Sequence, residues 1–171
     1  MTKAIALGNT VHDITTGIQG VATSKVEFLT GNVQYAVQPK GKEDGAYVDA
    51  LSYDTHQLDF VDVGIAARVT PAPAETGITL GEKVQDIVTK FAGIATRKTT
   101  FMNGCIYYSV QGEVDGENQS KEDFVEFNRL KVVGKGIVAV VAKRLAEAVA
   151  KAPAAATRPP GGPVSRLMAR G

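Results

Sequence analysis

Short runs of alternating apolar and polar residues, separated by glycines, fill most of the chain. The clearest runs place an apolar side chain at every second position: Val33, Tyr35 and Val37, and later Ile106, Tyr108 and Val110. Strict alternation is typical of a strand that buries one face and exposes the other, and glycines between such runs indicate turns. The pattern therefore predicts a mainly β protein built from short strands.

The same pattern occurs twice along the chain. Residues 5–38 and 78–111 align without a gap, and 16 of their 34 aligned pairs are identical. The shared pairs include Gly8/Gly81, Asp13/Asp86, Gly20/Gly93, Phe28/Phe101, Gly31/Gly104 and Tyr35/Tyr108. After a shift of one residue the similarity resumes with Leu58/Leu130, Val61/Val133, Gly64/Gly136 and Ile65/Ile137. A unit of about sixty residues is too long for a solenoid repeat and long enough for a small domain.

Each copy predicts a β-hairpin, with its turn at Thr30-Gly31 in the first copy and at Asn103-Gly104 in the second. Asn-Gly between alternating runs is a strong hairpin signal, because both residues of such a two-residue turn favour positive φ. A two-residue turn sets these pairs opposite each other: Phe28 with Val33, Val26 with Tyr35, Phe101 with Ile106 and Thr99 with Tyr108. We therefore expect the rings of the repeated phenylalanines to be core anchors. Gly20 and Gly93 are expected to mark a tight bend or a close backbone approach.

The repeat and the changes in composition divide the chain into five segments: a first β-barrel repeat at 1–67, a Pro-rich linker at 68–77, a second β-barrel repeat at 78–136, a helix at 137–152 and an extended basic arm at 153–171. About five short strands in sixty residues suit an SH3-like barrel. The expected fold is therefore mainly β, with two tandem SH3-like small β-barrels followed by a C-terminal helix and an extended arm.

The C-terminal helix is predicted from apolar residues at alternating spacings of three and four: Val138, Val141, Leu145, Ala148 and Ala152. Pro153 ends it. The β-branched residues at 137–141 fit an extra strand as well, so the helix is expected from about Ala139 onward.

Charge is distributed unevenly, although the net charge of the whole chain is only +1. Residues 1–77 carry five Lys or Arg against nine Asp or Glu, and residues 78–133 carry seven against eight. Residues 134–171 carry seven against one, a net charge of +6. Basic terminal segments bind acidic protein surfaces, nucleic acid or membranes, and composition leaves these alternatives open. No stretch approaches the roughly 20 apolar residues of a membrane span, so we expect no membrane partner.

Candidate chemistry is sparse. The histidines His12 and His56 and the single Cys105 stand outside any metal-binding or nucleophilic pattern. We therefore expect no catalytic residue, no metal site and no cofactor, and the chain is predicted not to be an enzyme. Asp13 and Asp86 form the one repeated acidic pair; a turn-forming role, accepting backbone N–H bonds, is favoured over a metal ligand or a general base.

The second copy, from LGEKVQD to NGCIYYSVQ, followed by FVEFNRLKVV, resembles small structural proteins of tailed bacteriophages. The residues that carry the resemblance are Val84, Asp86, Thr89, Phe91, Gly93, Ala95, Thr96, Asn103, Gly104, Cys105, Arg129 and Leu130. The first copy departs from this pattern at Ile18, Asn32 and Gln57. The resemblance implies a virion structural protein with SH3-like repeats, of the capsid decoration (cement) or neck or tail accessory type. Such a protein is made in the host cytoplasm and resides in the virion.

The expected partners are other virion proteins, either major capsid or neck and tail subunits, and copies of the chain itself. Apolar side chains interspersed with arginines suit a segment that docks into acidic grooves. The residues expected to bind partners are Val138, Val141, Leu145, Arg158, Val164, Arg166, Leu167, Met168 and Arg170. The alternative is a KOW-like nucleic-acid-binding protein. In that case nucleic acid would contact the basic tail only, because the barrel segments carry net negative charge.

Overall fold

The computed structural model describes residues 4–41, 46–73, 75–113, 121–138, 140, 142–144 and 147. These residues form ten strands: β1 (Thr10–Asp13), β2 (Gln19–Phe28), β3 (Val33–Pro39), β4 (Leu51–Asp54), β5 (Leu58–Asp62), β6 (Lys83–Asp86), β7 (Ala92–Phe101), β8 (Ile106–Gln111), β9 (Glu122–Glu126) and β10 (Leu130–Gly134). Every pairing between them is antiparallel, and all ten belong to one sheet. The prediction of a mainly β protein is confirmed.

The two copies have the same strand order, β4-β3-β2-β1-β5 in the first and β9-β8-β7-β6-β10 in the second. A short 3-10 helix joins the fourth strand to the fifth in each copy, at Thr55–Gln57 and at Phe127–Arg129. The long strands β2 and β7 contain irregularities at 22–24 and at 95–97, and such bulges bend a strand. Among the described strands, β4 pairs with β3 and β5 with β1, so the sheet is not closed.

The copies join through the central strands β2 and β7, which pair from Ser24–Phe101 to Phe28–Arg97. The middle pair of this seam is Val26–Thr99, and these two residues occupy the same position in the two copies because they are 73 residues apart. The seam therefore has an approximate two-fold axis at this pair. Ten strands form one continuous sheet across it.

Each copy has its own hydrophobic core on the inner face of the sheet. The first contains Val11, Ala22, Tyr35, Val37, Tyr53 and Leu58, and the second contains Val84, Ala95, Ile106, Tyr108 and Val110. The alternating residues at 33–37 and 106–110 thus face inward as predicted, with Val33 packed against the edge of the first core. The repeated tyrosines donate their hydroxyls to equivalent carbonyls, Tyr35 to Ile5 at 2.9 Å and Tyr108 to Ile78 at 3.1 Å.

Both predicted hairpins exist, but their predicted register is wrong by one residue. The N–H of Phe28 donates to the carbonyl of Asn32, and Gly31 has a φ of 86°. This geometry is a three-residue loop ending in a left-handed glycine, which shifts the pairing relative to a two-residue turn. Val33 therefore lies opposite Glu27, and Ile106 lies opposite Thr100.

A slip of one residue moves every side chain of a strand to the other face of the sheet. Phe28 and Phe101 consequently lie on the outer face, half-buried, and neither belongs to a core. The expectation that these rings are core anchors is wrong. In both copies the backbone at this position closes the hairpin, since the N–H of Phe101 donates to the Cys105 carbonyl as that of Phe28 does to Asn32.

The linker and the C-terminal segment are described only in part. Thr70 donates its N–H to the carbonyl of Met102 at 2.9 Å, so the linker packs on the second hairpin turn. The described residues of the predicted helix 137–152 that are helical are Val138, Val140, 142–144 and Glu147. The arm at 153–171 lies outside the described residues. Among the described helices, none is long and apolar enough to cross a membrane.

Candidate interaction surfaces

The repeated aspartates organise the turn that follows the first strand of each copy. Asp13 accepts the N–H of Thr16 at 2.8 Å together with its hydroxyl. Asp86 accepts the hydroxyl of Thr89 at 2.8 Å and a hydrogen bond from the guanidinium of Arg129. Both carboxylates are fully buried. The prediction of a turn-forming role is confirmed for this pair.

The ion pair with Arg129 belongs to the second copy. Burial by itself would raise the pKa of Asp86, but the Val88 N–H, the Thr89 hydroxyl and the Arg129 guanidinium outweigh it and lower this pKa from 3.8 to about 2. In the first copy Gln57 stands at the position of Arg129, and its side-chain oxygen accepts the N–H of Asp54 instead. There the pKa of Asp13 is lowered chiefly by the Thr16 hydroxyl.

We expect Arg129→Gln, which gives the second copy the residue of the first, to reduce stability in a pH-dependent way. The low folded-state pKa means that ionised Asp86 stabilises the fold above about pH 4, and that this contribution is lost as the pH falls toward 2. The variant should therefore have a lower urea midpoint than the native chain at pH 6, and the two midpoints should converge near pH 2. Lys121→Gln, which alters an exposed base of the second copy outside this ion pair, is the matched control. A difference that is constant across this pH range would contradict the assignment.

Three aromatic rings lie together on the outer face of β7, β8 and β9, and we call Phe101, Tyr107 and Phe124 the aromatic face. The rings of Phe101 and Tyr107 meet edge to face at 5.9 Å, and those of Tyr107 and Phe124 stack at 4.9 Å with an interplanar angle of 14°. Phe124 is 45% exposed. The aromatic face thus presents one open ring supported by two half-buried ones.

Charged side chains border the aromatic face. Glu122 and Glu126 lie on β9 two residues before and two residues after Phe124 and share its face of the sheet. Arg97 on β7 donates to the hydroxyl of Ser109 at 2.8 and 3.0 Å and pairs with Glu122 at 3.3 Å. The border is therefore mainly acidic, and its one described base is already engaged by a carboxylate.

The aromatic face is present in the second copy alone. The equivalent positions in the first copy carry Phe28, Gln34 and Ser52. The scaffold is therefore duplicated, whereas this surface is not. The sequence analysis does not predict it, because a segment rich in Glu and Asp is typical of a polar loop. Val125 faces inward while Phe124 and Glu126 face outward, but this alternation is short, and the pairing with β8 identifies the segment as a strand.

The seam between the copies engages the one repeated pair of bases. Lys25 and Lys98 both approach the carboxylate of Glu27, at 2.9 and 3.9 Å. The equivalent of Glu27 in the second copy is Thr100, so two lysines related by the approximate two-fold axis share a single acid. The Lys98–Glu27 pair crosses the seam, whereas the Lys25–Glu27 pair lies within β2, and the two bases do not form an isolated basic patch.

Exposed apolar side chains concentrate at two places outside the aromatic face. Of the 13 large hydrophobic residues that are exposed in the described part of the chain, ten belong to two sets. One set accompanies β5 and is called the first end: Ile14, Val61, Val63 and Ile65. The other accompanies β10 and is called the second end: Ile87, Val88, Val132, Val133, Ile137 and Val140.

Of the residues predicted to bind partners, the structure places Val138. It is half-buried and helical, and it lines a shallow cavity of about 310 Å³ with Thr79, Glu82 and Lys135. The others lie outside the described residues: Val141, Leu145, Arg158, Val164, Arg166, Leu167, Met168 and Arg170. A larger open groove of about 620 Å³ lies in the first copy beside Gly20 and Pro39.

No family model matches the chain, and neither a curated protein nor a solved structure is significantly similar to it. The function is therefore inferred from the geometry of the protein's own surfaces and from the resemblance in the second copy.

Proposed function

We propose that the chain is a non-enzymatic structural protein of a tailed-phage virion, of the capsid decoration or neck and tail accessory type. It binds neighbouring virion subunits through its surface. The observation that carries this proposal is the aromatic face, which exists in one copy of a scaffold that is otherwise duplicated. The buried aspartates and tyrosines that both copies share are engaged inside the scaffold: the aspartates in turns and the tyrosines with backbone carbonyls.

The same proposal includes the finer fold, with each copy as an SH3-like small barrel. Three features support it: a five-stranded antiparallel order in which the fifth strand pairs with the first, a long second strand that bends at a bulge, and a 3-10 helix between the fourth and fifth strands. A scaffold of this kind presents the outer faces of its strands to partners while its small core remains closed.

The chemistry of the aromatic face suits a protein partner. Aromatic residues dominate binding energy at protein interfaces when they enter a pocket on the partner, and the exposed ring of Phe124 is placed to do so. The carboxylates of Glu122 and Glu126 form an acidic border, which favours a partner surface carrying Lys or Arg around an apolar pocket.

Mass spectrometry of purified virions tests the proposal directly. A structural component should be present at a copy number tied to the symmetry of the particle. Virions that lack the protein would refute the proposed function.

We expect Phe124→Ala to lower the amount of protein incorporated into particles while leaving the fold intact. Loss of a central aromatic anchor costs about 2 kcal/mol of binding energy, or about 30-fold in affinity. The matched control is Leu51→Ala, because Leu51 is 43% exposed on the equivalent edge strand of the first copy. Incorporation is measured by quantitative mass spectrometry of particles carrying each variant. Equal incorporation of the two variants would remove the aromatic face from the proposal.

A KOW-like nucleic-acid-binding protein is the second candidate, and the aromatic face is also what favours it. Rings on the outer face of a sheet stack on the bases of single strands. The acidic border opposes phosphate contact, so affinity would depend on the basic C-terminal segment. Gel shifts across a salt series discriminate between the two functions, because binding to phosphates weakens steeply as ionic strength rises.

A further inference from the structure

The first and second ends occupy opposite extremes of the hydrogen-bonded strand path β5-β1-β2-β7-β6-β10. Both expose β-branched side chains: Val63 at the first end is 63% exposed, and Val133 at the second end is 46% exposed. Exposed apolar residues scattered singly are ordinary, but contiguous patches mark interaction sites. The concentration of such residues at the two extremes indicates that both ends are contact surfaces.

The two ends carry opposite charges at equivalent positions. Asp59 on β5 and Lys131 on β10 are 72 residues apart and occupy the same place in the two copies. Both are exposed. Asp62 adds a second negative charge to the first end, and Lys135 adds a second positive charge to the second end. Residues 58–65 therefore have a net charge of −2, and residues 130–138 have a net charge of +2.

We propose that copies of this protein associate head to tail, with the first end of one copy against the second end of the next. Apolar residues supply the contact area, and the opposite charges fix which ends meet. The inference rests on the proposed function, for which it names the surface between copies. A head-to-tail contact leaves one end free on each terminal copy, so it generates a ring if the rotation closes and a filament if it does not.

Contacts between like ends are disfavoured by the same charges. Two first ends would bring Asp59 and Asp62 of both copies together, and two second ends would do the same with Lys131 and Lys135. Juxtaposed like charges at an interface suppress the wrong pairing. The charge pattern thus selects the heterologous contact over both symmetric ones.

Charge reversal in the full chain tests the proposal by sedimentation velocity over a range of protein concentrations. The native chain should form species larger than a monomer. Asp59→Lys and Lys131→Asp should each raise the apparent dissociation constant by about tenfold or more, because each places like charges across the contact. The double variant, Asp59→Lys with Lys131→Asp, should associate again, and so should an equimolar mixture of the two single variants. Asp49→Lys reverses an exposed charge away from both ends and should leave association unchanged.

Three results would overturn the inference: a native chain that stays monomeric at every concentration, a Lys131→Asp variant that associates as well as the native chain, or a double variant that stays dissociated while keeping native melting. These outcomes do not depend on whether the proposed function is correct. A protein that associates head to tail but is missing from virions refutes the function alone. A virion protein that stays monomeric when purified refutes the head-to-tail contact alone.

Discussion

Gly93→Ala is expected to destabilise the second copy by about 3 kcal/mol. A Cβ atom built at Gly93 would overlap the carbonyl group of Gln111 on the neighbouring strand β8. Backbone cannot rotate away as a side chain can, so β7 and β8 must separate at this point. The separation strains the packing of Ala95 and Val110, which are both fully buried in the second core.

The measurement is chemical unfolding of the variant beside Gly134→Ala. Gly134 has no positive φ, and a Cβ there meets Lys83 at an ordinary 3.7 Å. The control should therefore change the free energy of unfolding by no more than about 0.5 kcal/mol. Gly20→Ala should reproduce the effect in the first copy, because a Cβ at Gly20 overlaps the Gln38 carbonyl in the same way. Equal stability of Gly93→Ala and Gly134→Ala would contradict the close approach.

The sequence predicts the faces of the strands better than their edges. Alternation predicts correctly that Tyr35 and Tyr108 face inward. The repetition of Gly20 and Gly93 predicts correctly that a neighbouring backbone lies close to each glycine. Both properties depend on the size of the side chain at the position itself. The predicted hairpin register is wrong because the same residues can form either a two-residue turn or a three-residue loop that ends in glycine. Only the backbone distinguishes the left-handed Gly31 that ends the loop.

The seam and the aromatic face lie beyond what periodicity encodes. Alternation states which face of β2 is buried but not which strand lies along its edge, so the pairing of β2 with β7 has no signal in the pattern. The strand that carries Phe124 is also not predicted, because a run rich in Glu and Asp is typical of a solvated loop. Only its pairing with β8 identifies it as a strand. Long-range pairing decides both features.

The first copy expressed alone, as residues 1–73, is expected to form a homodimer through β2. Because the seam has an approximate two-fold axis at Val26–Thr99, a second first copy can take the place of the second copy in the same register. Val26 then lies opposite its counterpart, and Lys25 lies opposite Glu27 on both sides of the axis. The native chain has one such acid for two lysines, whereas the homodimer has two.

The second copy alone, as residues 74–147, should dimerise less tightly by the same reasoning. Its own register sets Lys98 opposite Thr100 and supplies no carboxylate, so both lysines at the axis lack their acid. Mixing the two fragments should give a 1:1 complex alongside first-copy homodimers, because its seam has one Lys–Glu pair, against two in the first-copy homodimer and none in the second-copy homodimer. The difference between the copies at this one position, Glu27 against Thr100, thus ranks the three possible seams and makes the second-copy homodimer the weakest.

Light scattering coupled to gel filtration measures the mass of each fragment and of the mixture. Glu27→Lys in the first fragment should weaken its homodimer by about tenfold or more, because it replaces two attractive pairs with a cluster of four like charges. Glu122→Lys in the second fragment reverses a charge outside the seam and should leave the mixed complex intact. A first fragment that is folded and monomeric at high concentration would show that β2 needs the particular sequence of β7. The approximate symmetry of the seam would then describe its geometry and not its binding specificity.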